Sequence, residues 1–183
     1  MQRLRHQPAA PAPPESESPM TRVVSIDPGG SSGGIACIVD GHLIDVCDLP
    51  QQAGGKTTSG RGLAEYLRAW TPDVVVLEDV HCNGLNGSKA NWSLGHSKGT
   101  IEGVVESLRH PLVKMSPQEW KKLAGLTGKT KDQSRELAQS LWPNHYDKFK
   151  RKMDDGRAEA ALIGRSYVMK MVRESNEEQA DAS

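Results

Sequence analysis

The run Val74-Val75-Val76-Leu77, ended abruptly by Glu78, constrains this chain more than any other feature. Four consecutive apolar residues leave no polar face for solvent, so a strand built from them must be covered on both sides. The chain therefore needs a sheet with layers above and below it, which selects an α/β architecture. Three more strands precede it. Val23 to Ile26 is stopped at Asp27-Pro28-Gly29-Gly30, while Gly34 to Val39 and Leu43 to Cys47 are joined by Asp40-Gly41 and read as a hairpin.

Helical spacing appears first after the Gly/Ser/Thr loop from Gly54 to Gly60, where Leu63, Tyr66, Leu67 and Trp70 recur until Pro72 ends the pattern. A second stripe, Ile101, Val104, Val105 and Leu108, is followed by a fifth strand, Leu112 to Met115. Ser116-Pro117-Gln118-Glu119 and Thr130-Lys131-Asp132-Gln133 are both capping boxes that open helices. The second of these helices runs to about Leu141, where Pro143 follows. The last helix begins near Met153 and extends to about Arg173. No internal repeat is visible.

At 183 residues the chain has length for one ordinary domain. The expected division is a Pro/Ala-rich disordered leader over 1–20, a domain over 21–173, and a disordered acidic tail over 174–183. The leader has no apolar segment of a secretory signal, and Glu15 and Glu17 count against an organellar transit peptide. No run approaches the ~18 consecutive apolar residues of a membrane span. Three cysteines, Cys37, Cys47 and Cys82, are an odd number without metal-type spacing. They point to reduced thiols, hence an intracellular and cytoplasmic protein, with organellar import the lesser alternative.

Four acids stand out by placement. Asp27 and Glu78 end two strands, and in an open sheet ligand sites form beyond strand ends. On the last helix, Asp155 and Glu159 are offset by about 40° around the axis, whereas Asp154 and Glu159 differ by about 140°. Asp155 and Glu159 therefore project together, and Asp154 points elsewhere. Four converging carboxylates repel one another unless a cation joins them. Carboxylate oxygens suit Mg²⁺ or Mn²⁺, and two such ions can drive in-line displacement at phosphorus.

The set, in order, resembles the RuvC-type Holliday-junction resolvases across roughly Arg22 to Arg173. SIDPGGSSGGIA is similar to that family's first strand and turn, and VVVLEDVH to its second acidic strand. ANWSLGHSKGTIEGVV is similar to its Leu-Gly-x-x-x-Gly helix entry, and SPQEWKKLAGLTGKTKDQS to its Pro…Lys…Gly-x-x-Gly-x-x-Lys segment. DDGRAEAALIG stands where the family carries its last acidic pair. Bacterial members usually have His-x-x-Asp there, and the Asp155-x-x-x-Glu159 variant is similar to a chloroplast and phage-like branch. The resemblance implies a ribonuclease-H-like fold, a mixed five-stranded sheet flanked by helices. It also implies a homodimer that nicks two opposed strands of a four-way junction, with two Mg²⁺ per site (Mn²⁺ substituting) on Asp27, Glu78, Asp155 and Glu159. Lys131 matches the family's lysine after Gly-x-x-Gly and is a candidate to hold the scissile phosphate.

Net charge is zero, with 23 basic and 23 acidic residues, but the charges are segregated. Arg109 to Lys152 holds eleven Lys and Arg against four acids, as a phosphate-tracking surface requires. Lys121, Lys122, Lys129, Lys131, Lys150, Arg151 and Lys152 are its candidate DNA contacts. His81 and Asn83, in the loop after Glu78, are candidates at the junction centre. The hydrophobic stripe Ile101/Val104/Val105/Leu108 is the candidate dimer face. An actin-like ATPase would need two such domains and a second phosphate motif. A related nuclease acting on another branched DNA or structured RNA stays open, as does a non-cleaving junction binder.

Overall fold

The computed structural model describes residues 21–29, 33–81 and 87–181; the leader over 1–20 and the candidate contact Asn83 lie outside them. Strands β1 (Arg22–Asp27), β2 (Gly34–Val39), β3 (His42–Asp48), β4 (Val74–Glu78) and β5 (Leu112–Met115) form one sheet in the order β3-β2-β1-β4-β5. The β1–β2 and β2–β3 pairs are antiparallel, and β1–β4 and β4–β5 are parallel. This is the mixed five-stranded sheet of the ribonuclease-H-like fold.

Helices α1 (Gly60–Trp70) and α2 (Ser88–Ser107) cover one face, where Leu63, Leu67, Ile101 and Val105 meet Val24, Ile26, Val75 and Leu77. Helices α3 (Pro117–Leu123), α4 (Lys131–Leu141) and α5 (Asp155–Asp181) belong to the other, where Trp120, Ala138, Ala158 and Leu162 join Val23, Ala36, Ile38, Val74 and Val76 in a second core. The Thr130 capping box forms as the sequence predicts, exchanging bonds with Gln133, whereas at Ser116 only half of the box forms: Ser116 accepts from the Glu119 N–H, but the Glu119 carboxylate accepts from Lys170 instead. Short 3₁₀ helices at Pro143–Lys148 and Lys152–Asp154 lead into α5. No helix among the described residues is long and apolar enough to cross a membrane.

Two expectations are corrected. The stripe Ile101/Val104/Val105/Leu108 does not face outward for a second copy, because it packs on this chain's own sheet. The longest apolar stripe on a helix is the one its own core uses first. The tail from Glu174 is helical to Asp181, though fully exposed. Its Glu, Gln and Ala residues are good helix formers, and neither Gly nor Pro interrupts them.

Helix α5 lies unusually close to the sheet. A side chain on Gly164 would come within 2.5 Å of Ser25 Oγ and 2.6 Å of Ile38 Cδ1, and one on Gly34 would overlap the Gly156 carbonyl. The close approach lets the Ser25 hydroxyl donate to the Ala160 carbonyl at 2.7 Å, across the buried seam.

Candidate active site

Strand alternation decides which way the two strand-end acids point. Val23 and Ser25 face α5, so Asp27 does too; Val74 and Val76 face the same layer, so Glu78 follows them. Ile26 pairs with Leu77 in parallel register, which puts Asp27 and Glu78 level at the carboxyl ends of neighbouring strands. From above, the first turns of α5 bring Glu159. Asp27, Glu78 and Glu159 line one pocket of about 360 Å³, together with Pro28, His81, Leu94, Pro117, Lys121 and Lys131.

Burial makes these acids interact strongly. Glu78 and Glu159 are 5% and 6% exposed, and Asp27 is half-buried. Desolvation, then the charges of Glu78 and Glu159 and a hydrogen bond with Glu78, hold the Asp27 carboxyl well above the usual carboxylate range, against the pull of Lys131. Glu159 is pushed up mainly by burial and by Glu78, while Lys131 opposes. Asp155 does not line the pocket. Its Oδ2 accepts from Lys131 Nζ at 2.7 Å, tying it to the pocket's edge. Desolvation works against the Lys131 charge, but the Asp155 hydrogen bond and the charges of Glu159, Asp155 and Asp27 outweigh it and raise its pKa.

Among the described residues, no three His, Cys, Asp or Glu side chains already stand at metal-holding distance. The acids share a pocket without converging on a point. Their chemistry nonetheless fits a hard cation. Three of the pocket's residues offer carboxylate oxygens, and burial together with the charge of the neighbouring acids raises the pKa of two of them, so added positive charge would relieve the site.

Sequence reasoning missed the partners that set the carboxylates. Trp120, wholly buried in the core, donates its indole N–H to Glu78 Oε1 at 2.7 Å and so fixes one oxygen of that acid. Lys98 of α2 donates to Asp79 Oδ1 and to the Val80 carbonyl, both at 2.8 Å, and holds the chain leaving β4. The helical-angle argument does not reach Asp154, which lies in the 3₁₀ turn before α5, and of the expected pair only Glu159 lines the pocket, because Asp155 at the first residue of α5 is drawn to Lys131. Asp154 is fully buried away from the pocket and caps the turn before α5, accepting from the Arg151 backbone at 2.8 Å and from its guanidinium at 3.0 and 2.8 Å. Burial works against its charge, yet these bonds and Arg157 hold its carboxyl below the usual range. Arg157 in turn grips both oxygens of Asp48 at 2.6 Å, locking the start of α5 to the end of β3.

The basic candidates divide. Lys121 lines the pocket and lies 5.2 Å from the centroid of the Trp120 ring. His81 also lines it, with 80% of its side chain exposed. Lys122, Lys129, Lys150, Arg151 and Lys152 are exposed and outside its wall, and Lys150 and Arg151 already pair with Asp147 and Asp154.

No family model matches the chain. Over 118 residues, 60% of this chain and 70% of the other, it is 31% identical to the crossover junction endodeoxyribonuclease RuvC of Halorhodospira halophila. Among solved structures it is similar to Thermus thermophilus RuvC, with a TM-score of 0.57, 16% identity, and coverage of 81% of this chain and 93% of that one. The T. thermophilus RuvC in complex with a Holliday junction substrate gives a TM-score of 0.56 and 12% identity over 81% of this chain and 92% of that one. At such identities the structural likeness is one of fold.

Proposed function

The chain belongs to the RuvC family of crossover junction endodeoxyribonucleases, and from that premise we propose that it resolves four-way (Holliday) junctions by paired, symmetric phosphodiester hydrolysis. The observation that carries the reading is the pocket in which Asp27, Glu78 and Glu159, drawn from two strands and a helix, meet Lys131 and Lys121.

Asp27, Glu78, Asp155 and Glu159 would hold Mg²⁺, two ions per site, with Mn²⁺ as substitute. When bound there, such ions supply an acidified water and a counter-charge for the leaving oxygen. The protein's own groups do the rest. Glu78, with one oxygen engaged by Trp120, presents the other to the pocket in a fixed orientation. Lys131 offers an ammonium that can exchange the Asp155 carboxylate for a scissile phosphate oxygen. Lys121 and His81 stand at the pocket where DNA enters, and His81 is open enough to stack on a base. Asn83 completes the proposed loop contacts. Lys122, Lys129, Lys150, Arg151 and Lys152 would meet backbone phosphates further out, positioning the substrate without reading its sequence.

Two cuts on opposed strands call for two copies of the site, hence a homodimer. The outward face of α2 suits a second copy: Trp92 is 63% exposed, and Gly95, Gly99 and Gly103 are exposed at four-residue spacing. Each glycine costs an isolated helix ~1 kcal/mol relative to alanine, while permitting a second backbone to approach closely.

The deciding experiment incubates the purified protein with a labelled four-way junction and Mg²⁺. Paired nicks, lost in Asp27→Asn with junction binding retained, are the expected result. Binding without nicks in any divalent metal would instead favour a non-cleaving junction protein, and cleavage confined to other branched DNA or structured RNA would reassign the substrate. A monomeric mass at micromolar concentration would overturn the dimer.

A further inference from the structure

A second pocket, of about 410 Å³, opens where the β2–β3 turn (Gly41, His42, Leu43) meets the end of α4 and the 3₁₀ helix after it (Leu141 to His145). Arg165 of α5 forms the remaining wall. Among the described residues, no Asp or Glu lines it. Its polar side chains are a guanidinium, the imidazoles of His42 and His145, and the Asn144 amide. The His145 ring is held against the wall, its Nε2 3.1 Å from the Leu43 carbonyl.

Arg165 is unusual in this chain. It is half-buried, yet among the described residues it makes no hydrogen bond or ion pair. The other described arginines that are shielded to a similar degree all have acceptors: Arg22 donates to the Trp70 and Thr71 carbonyls, Arg135 pairs with Asp132, and Arg157 with Asp48. One helical turn away from Arg165 on α5 stand Ala161, Leu162, Val168 and Met169, so its own helix supplies no carboxylate. A guanidinium cannot shed its charge, and its planar fork matches a phosphate group.

We infer that this acid-free pocket is a phosphate subsite, in which Arg165 takes a backbone phosphodiester of the DNA strand beyond the carboxylate pocket. The inference rests on the nuclease reading above. Chain continuity points to a strand: the 3₁₀ helix that supplies Pro143, Asn144 and His145 runs on through Lys148, Lys150, Arg151 and Lys152 to Asp155. This basic stretch runs from the rim of the pocket to the start of α5. Because Lys150 and Arg151 are already paired, Arg165 is the stronger free anchor. Along α5 it stands about 9 Å from Glu159 and about 120° around the axis, and the β2–β3 turn beside it lies at the Arg22 end of β1, opposite Asp27, so the phosphate it takes lies several nucleotides from the one at the acids.

The test measures junction affinity against salt, in chelator to prevent cutting, for the wild type and for Arg165→Gln, Arg165→Lys and Arg173→Gln. Arg165→Gln should lower the slope of log affinity against log salt by about one, leave cleavage at saturating DNA unchanged, and be rescued by Arg165→Lys. Arg173 is an exposed arginine on the same helix outside the pocket, and its loss should matter less. An unchanged slope in Arg165→Gln, or an equal loss in Arg173→Gln, would overturn the subsite. In a second arm, inorganic phosphate should raise the Tm of the wild type more than that of Arg165→Gln. Phosphate stabilisation without any DNA effect would assign the pocket to free phosphate and reject the strand. Failure of the wild type to bind junctions would sink the nuclease reading instead, and the phosphate arm would still decide whether Arg165 binds phosphate.

Discussion

Strands β1 and β4 present very different surfaces on the two sides of the sheet. Toward α1 and α2 they offer Val24, Ile26, Val75 and Leu77, which join Leu63, Leu67, Ile101 and Val105 in one apolar cluster. Toward α5 the same strands offer Val23, Ser25 and Asp27, and Val74, Val76 and Glu78, so that each row begins apolar and ends on an acid. The first side is held by area removed from water. The second carries polar seams, a glycine-mediated close approach and a buried indole–carboxylate bond. Both faces carry apolar cores, but only the second adds the acids, and substitutions on the two sides should fail in different ways.

The sharpest contrast comes from Asp27→Asn. Cleavage should fall by more than the ~100-fold that loss of a supporting residue around a metal can cause. Thermal unfolding in chelator should occur at a higher temperature, because one member of a repelling carboxylate cluster is gone. A lower Tm would show that the acids do not strain the fold. On the opposite face, Leu63→Ala should cost about 2–5 kcal/mol in denaturant titration, while single-turnover cleavage at low temperature stays near wild type. A large rate loss at low temperature would break the division of labour.

Trp120→Phe tests the polar seam itself. It keeps an aromatic ring but removes the donor, and the Mg²⁺ concentration for half-maximal cleavage should rise by about 10–100-fold, with direct Mn²⁺ binding weakened in parallel. A variant that unfolds at lower temperature but keeps its metal requirement would reduce Trp120 to packing. The smallest effect is expected from Gly164→Ala. Its methyl would meet Ser25 and Ile38, so stability should fall by about 1–3 kcal/mol. Cleavage should slow as well, since the displaced helix carries Asp155 and Glu159.

How far the sequence discloses this arrangement follows the same division. The aliphatic face is legible because local periodicity encodes it: Leu63 and Leu67, Ile101 and Val105 recur at helical spacing. Asp27 and Glu78 are legible as acids that stop apolar runs, whereas the start of α5 is not: Asp154 falls in a 3₁₀ turn before it, where helical angle says nothing. Nor is what lies between distant segments. Trp120 meets Glu78 across 42 residues, and Ser25 meets Ala160 across 135. No local period signals such pairs. The misread stripe on α2 and the tail past Glu174 fail for another reason. A hydrophobic face does not say whether its cover is this chain or a second one, and a run of Glu and Gln reads as disorder by charge but as helix by propensity.

Helix α5 has an experimental use that follows from its length. It starts at Asp155 beside the carboxylates and continues, straight off the body of the protein, to Asp181. At about 1.5 Å per residue its far end stands roughly 39 Å from its origin. A dye attached there would sit on a helix whose root lies beside the proposed site. Any tilt of that root during a catalytic cycle would be magnified at the tip, where energy transfer to a labelled junction arm could record it one molecule at a time.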